Sequence, residues 1–196
     1  SIISTAQNII EKSYGEVIDL AKMPLDDKSA YDLLSNGDST GVFQLESAGM
    51  KRYLRELKPS SFEDIIAMVA LYRPGPMQFI DSFIRRKHGE EEITYLDSGM
   101  ENALKNTYGI LVYQEQFMQI SKEWCGFTGG QADTLRKAVG KKKIDLMRKV
   151  KVDFVEGAIK TSGAKREVAE KFWDQLEEFA NYCFNKSHAA CYALIA

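Results

Sequence analysis

Apolar residues recur at helical spacing along nearly the whole chain. Ile2, Ile3, Ala6, Ile9 and Ile10 form one stripe over the first ten residues. A loop is expected from Gly15 to Pro24, then a short helix over 27–35 stopped by Asn36-Gly37, a pair suited to a helix C-terminus. Val42 and Phe43 predict an extended or strand-like connector. Residues 46–57 predict a helix with Met50, Tyr53, Leu54 and Leu57 inward. After Pro59, Ser60 and Glu63 have the spacing of a capping box. The helix it opens carries Phe62, Ile65, Ile66 and Val69. Arg73-Pro74-Gly75-Pro76 ends that helix, because two prolines forbid its continuation.

The second half is patterned more strongly. Residues 77–87 read as helix, and 89–108 are the least regular stretch. Tyr113, Phe117, Ile120 and Trp124 then mark one face of a helix. Thr128-Gly129-Gly130 is a break and cap before a helix over 131–139. Met147, Val150, Phe154 and Ala158 define the next helix, and Val168, Phe172, Leu176, Phe179 and Cys183 the one after. A last helix runs from Lys186 to the end. Strand signal is thin, and no repeat of about 20–50 residues is present. The predicted fold class is all-α, with at most short β segments.

Charge changes this picture at one place. From Arg136 to Lys151 there are eight Lys or Arg and one acid, Asp145, a net +7 in a chain of net −2. Such segregation points to a surface that meets phosphates. Arg136 and Lys137 are adjacent, so on a helix they project about 100° apart and could grip different oxygens of one polyphosphate. The competing reading pairs both with Asp133, at i+3 and i+4. Lys141-Lys142-Lys143 follow Gly140 without the spacing or the Ser/Thr of an NTP-hydrolysing loop. They read as contacts to a nucleic-acid backbone or as a solvated run. Asn185, Lys186, Ser187 and His188 open the last helix, where backbone N–H groups favour anions. Arg73 sits in a rigid Pro-Gly-Pro loop, presented either for binding or as an ordinary surface residue.

Other chemistries find less support. Cys183, His188 and Cys191 are three zinc-type ligands where a structural site takes four; cysteines packing as small hydrophobes is the commoner case. Asp26-Asp27, 90–92 and 177–178 are acidic runs on polar faces or loops, not a two-metal cradle. No Ser/His triad can be assembled, and His88 reads as an exposed loop residue. At 44% hydrophobic the chain can bury a core. No apolar run approaches the roughly 20 residues that span a bilayer. Three cysteines give no disulfide framework and fit a reducing cytoplasm. The chain begins and stops inside helical patterns without caps, so it is expected to be an excerpt of a longer protein.

Five collinear stretches carry a family resemblance: GVFQLES at 41–47, SFEDIIAMVALYRPGP at 61–76, TYGILVYQEQFMQI at 107–120, LRKAVGKKK at 135–143 and FNKSHAACYAL at 184–194. Together they resemble the alpha subunits of bacterial DNA polymerase III, the C-family replicative polymerases, and specifically their fingers domain. The resemblance implies template-directed addition of deoxynucleotides to a primer end. It implies Mg²⁺ held by palm aspartates outside this chain, and partners comprising primer-template DNA, dNTP and, through other regions, the sliding clamp and clamp loader, all in the cytoplasm with no membrane. Residues 1–36 would be palm-proximal helices and 37–196 the helical fingers body.

The same resemblance implies site residues. Two consecutive basic residues that contact the dNTP triphosphate map onto Arg136 and Lys137, with lysine here where arginine is expected. Asn185, Lys186, Ser187 and His188 fall near the nascent base pair. Lys186 and Tyr192 echo the Lys…Tyr pairing of fingers helices in other polymerases. Cys183 stands where a glycine is expected. Lys141, Lys142, Lys143 and Arg73 would meet the DNA backbone. Pattern alone leaves a second reading, a stand-alone helical module that binds nucleic acid or protein.

Overall fold

Eleven α-helices account for most of the described chain; the computed structural model describes residues 2–141 and 144–196. They are α1 (Ile2–Tyr14), α2 (Lys28–Ser35), α3 (Ala48–Leu57), α4 (Phe62–Leu71), α5 (Ile80–Lys87), α6 (Glu101–Leu104), α7 (Gln114–Glu123), α8 (Gly129–Lys141), α9 (Ile144–Ser162), α10 (Arg166–Phe179) and α11 (Lys186–Ile195). Among the described residues the β content is one isolated parallel bridge, between Tyr113 and Phe184. The all-α expectation holds.

Local signals set most helix ends. Asp27 caps α2 by accepting from Ala30 N, and Gly37 leaves it at φ 72°. Ser47 caps α3 by accepting from Met50 N. Thr128 and Gln131 cap α8 reciprocally: Thr128 N donates to Gln131 Oε1 (2.9 Å) and Gln131 N to Thr128 Oγ1 (3.3 Å). Two expectations are corrected. The cap of α4 lies one residue later than Ser60 and Glu63 predicted, with Asp64 Oδ2 accepting from the backbone of Ser60 (2.9 Å) and Ser61 (3.1 Å). Val42 and Phe43 lie in consecutive turns and not in a strand. Gly41 and Gln44, which bracket them, both have positive φ, and the buried Ser39 hydroxyl donates to Leu45 O across the turn.

Two hydrophobic cores share α7 and the segment before it. In the first, α7–α10 pack around Trp124, Phe154, Phe172 and Trp173. Gly157 lets α9 approach the chain after α7; a Cβ there would come within 2.4 Å of Cys125 O. In the second, α3, α4, α5 and α11 enclose Met50, Leu54, Leu57, Met68, Leu71 and Phe83. Ala189 and Ala193 are the buried residues of α11, and their small size lets it lie closely along α4. Phe117 and Ile120 of α7 belong to the first core, and Ile110, Val112 and Tyr113 to the second. The apolar stripe of α1 is uncovered: none of its residues is buried, and Ile2 is 90% exposed.

Candidate functional site

Leu135, Ala138 and Val139 root α8 in the first core, so the helix is a fixed platform for what projects from its other face. Arg136 and Lys137 project there, and both turn back to Asp133. The Arg136 fork donates to Asp133 Oδ1 through Nε (3.0 Å) and Nη2 (2.8 Å). Lys137 Nζ lies 2.7 Å from Asp133 Oδ2. Hydrogen bonds from Lys137 and then Arg136 hold the Asp133 carboxyl below its ordinary pKa. All three side chains are partly exposed. The pairing read from the spacing is thus realised, and it brings the two cations together on one pair of oxygens. Arg136 keeps further N–H donors directed elsewhere, as does the lysine ammonium.

The start of α11 is also occupied by a carboxylate. Asn185 Oδ1 accepts from His188 N (2.9 Å), the expected cap. Glu115, from the first turn of α7, accepts from Lys186 N (2.9 Å) and from Asn185 Nδ2 (2.9 Å). An acid from seventy residues away therefore occupies the anion seat. Lys186 Nζ reaches Glu63 of α4 (2.9 Å) and lies 5.5 Å from the Tyr113 ring centroid. Burial, then Glu63 and Glu115, push the Tyr113 phenol far above its usual pKa. His188 is exposed, with its ring between Phe184 (5.4 Å) and Tyr192 (4.5 Å), and Phe43 packs on Tyr192 (5.3 Å). Ser187 donates to Asn185 Oδ1.

Arg73 is more enclosed than a presented surface residue. Its Nη2 donates to Tyr182 O (2.8 Å), its Nε to Ala70 O (3.1 Å), and its guanidinium lies 4.1 Å from the Phe184 ring centroid. Burial lowers its pKa. It ties the Pro-Gly-Pro loop to the strand-like approach to α11. Lys141 is exposed at the end of α8. Lys142 and Lys143 lie outside the described residues. The structure thus seats Arg136, Lys137 and Lys141 on the first core and Asn185–His188, Tyr192 and Arg73 around the second, with α7 between them. Glu115, Glu63 and Phe43 were not found from sequence, because no fixed spacing links them to the residues they touch.

Asp133, Glu115 and Glu63 each face cationic or N–H donors, and among the described residues no group of three His, Cys, Asp or Glu could hold a metal ion. Cys183 is likewise engaged, its sulfur 3.2 Å from Gln114 Nε2. Among the described residues no helix is long and apolar enough to cross a membrane.

Comparison with known proteins brings these features together. The family model for the bacterial DNA polymerase III alpha subunit finger domain matches residues 1–162. The DNA polymerase III subunit alpha of Aquifex aeolicus is 50% identical over 192 residues, covering 97% of this chain and 16% of that protein. Its counterpart in Escherichia coli K12 is 49% identical over 207 residues, covering all of this chain and 18% of that protein. That of Bacillus subtilis 168 is 46% identical over 195 residues, covering all of this chain and 17% of that protein. The chain spans about a sixth of the length of the curated relatives it matches. An all-helical body that matches this model over most of its length belongs to the bacterial DNA polymerase III alpha subunit finger domain family.

Proposed function

We propose that the chain forms the fingers of a bacterial replicative DNA polymerase, a DNA-directed nucleotidyltransferase. Its part in the reaction is to bind the triphosphate of the incoming dNTP through Arg136 and Lys137. What supports this reading is the finger-domain family match over residues 1–162, a span that includes Arg136 and Lys137, together with the exposure of both cations on the rooted helix α8. A site that holds two carboxylate oxygens in a fork and an ammonium has the donor set for two phosphate oxygens. Phosphoryl transfer needs positioning and charge neutralisation more than covalent chemistry, and a cationic pair on a rigid helix supplies both.

The remaining assignments follow from position. Asn185, Lys186, Ser187, His188 and Tyr192 lie beside the nascent base pair, where the exposed His188 ring and its aromatic neighbours offer flat apolar surfaces. Lys141, with Lys142 and Lys143, meets the DNA backbone. Arg73 is assigned to the scaffold that fixes α11 and not to the DNA-backbone set, because its guanidinium is already engaged by Tyr182 and Ala70. Residues 1–36 face the palm and 37–196 form the fingers body. Mg²⁺ is held by residues of the parent protein outside this chain. Primer-template DNA and dNTP are the substrates, the clamp and clamp loader dock elsewhere on the parent, and the setting is the cytoplasm. A stand-alone module is not favoured, since the relatives carry this sequence within a chain about six times longer.

The test is Arg136→Ala in the full-length subunit. Primer extension should fall sharply, with a raised apparent KM for dNTP. Unchanged kinetics would refute the assigned role.

A further inference from the structure

The dNTP-binding reading leaves one group unexplained, the acid that Arg136 and Lys137 both grip. Neighbouring residues on a helix project about 100° apart, so nothing in the backbone makes these two cations meet. They meet because Asp133 sits three residues before one and four before the other, presenting one oxygen to each. Asp133 Oδ1 takes two donors of the Arg136 fork, at 3.0 and 2.8 Å, and Oδ2 takes the Lys137 ammonium at 2.7 Å. These are the donors a phosphate would use, and a carboxylate competes for the same geometry.

We propose that Asp133 acts on nucleotide binding through Arg136 and Lys137, as an internal counter-ion that occupies both cations and yields them to the incoming triphosphate. This rests on the dNTP-binding reading above. Three features make the exchange possible without disturbing the fold. The carboxylate is 37% exposed, so a ligand can reach it. The backbone beneath is held by the buried Ala132, Leu135, Ala138 and Val139, so only side-chain rotamers need change. Exposed ion pairs are weak, so a polyanion carrying several charges outcompetes a single carboxylate. Glu115 stands in the same relation to the start of α11, accepting from Lys186 N and Asn185 Nδ2. Both seats described above are therefore filled by acids of the chain itself.

The experiment is single-turnover incorporation by the full-length subunit on primer-template DNA, titrated with dNTP. Asp133→Asn keeps the size of the side chain and one acceptor but removes the competing charge. Its dNTP Kd should fall about 3- to 10-fold, as expected for removing one like charge and one exposed ion pair. The gain should vanish when Arg136→Ala and Lys137→Ala are also present, since Asp133 acts through them. Inhibition by inorganic pyrophosphate should strengthen in parallel, whereas a folding defect would weaken both ligands. An unchanged or raised dNTP Kd in Asp133→Asn, while Arg136→Ala still raises it, overturns the exchange alone. An unchanged Kd in Arg136→Ala overturns the underlying reading and the exchange with it.

Discussion

Replacing Asp64 with alanine should be among the most damaging single changes available in this chain. Its side chain is 4% exposed and that of Lys87 is 9% exposed, and the two meet at 2.8 Å. Asp64 Oδ2 also accepts from Ser60 N and Ser61 N, the cap of α4. Alanine would leave those two backbone donors without an acceptor and the Lys87 ammonium without a counter-charge. Breaking a buried pair from one side costs about 3–5 kcal/mol. Lys87 Nζ still donates to Lys58 O (3.1 Å) and Ser60 Oγ (3.0 Å), which places the loss near about 3 kcal/mol. With a urea dependence of about 2 kcal/mol/M, the unfolding midpoint should drop by roughly 1.5 M. Far-UV circular dichroism during urea titration reads this directly. Lys87→Met should cost less, because the carboxylate keeps its amide donors. A loss below about 1 kcal/mol for Asp64→Ala, the range of exposed pairs, would refute the reasoning. The site would feel the change as well, since Glu63, the preceding residue, holds Lys186.

Two further predictions concern neighbouring features. The Tyr113 hydroxyl is buried with no hydrogen-bond partner among the described residues, so Tyr113→Phe should raise stability by about 0.5–2 kcal/mol in the same titration, and a loss of stability would contradict this. Hydrogen bonds from Ser82, then Arg86 and Arg85, hold the Glu91 pKa at about 2 against an ordinary 4.5. A depressed carboxylate contributes stability that is present above pH 4.5 and lost as pH falls towards 2. Glu91→Gln should therefore flatten the fall in stability across that window, and an unchanged acid-unfolding curve would contradict it.

Regular helix faces were legible because the hydrophobic period is local. The four inward residues named for α3, Met50, Tyr53, Leu54 and Leu57, are its buried set, and Tyr113, Phe117, Ile120 and Trp124 are all buried as well. The start of α4 was ambiguous for a definite reason: Ser60 with Glu63 and Ser61 with Asp64 have the same capping spacing. Lys87 decides between them by taking Asp64, and Lys186, 123 residues distant in sequence, takes Glu63. Val42 and Phe43 have strand-forming side chains, but the positive φ of Gly41 and Gln44 turns the chain around them. The candidate site divides in the same way. The pairing of Asp133 with Arg136 and Lys137 follows from helical spacing and was readable. The seat of Glu115 at α11 and the engagement of Arg73 by Tyr182 depend on tertiary closure and were not.

The most direct measurement is a structure of the full-length subunit bound to primer-template DNA and an incoming dNTP. Phosphate oxygens of the nucleotide should lie within about 3 Å of Arg136 and Lys137 donor nitrogens, the range of charge-assisted hydrogen bonds. A triphosphate held elsewhere, with both cations still closed on Asp133, would contradict the account.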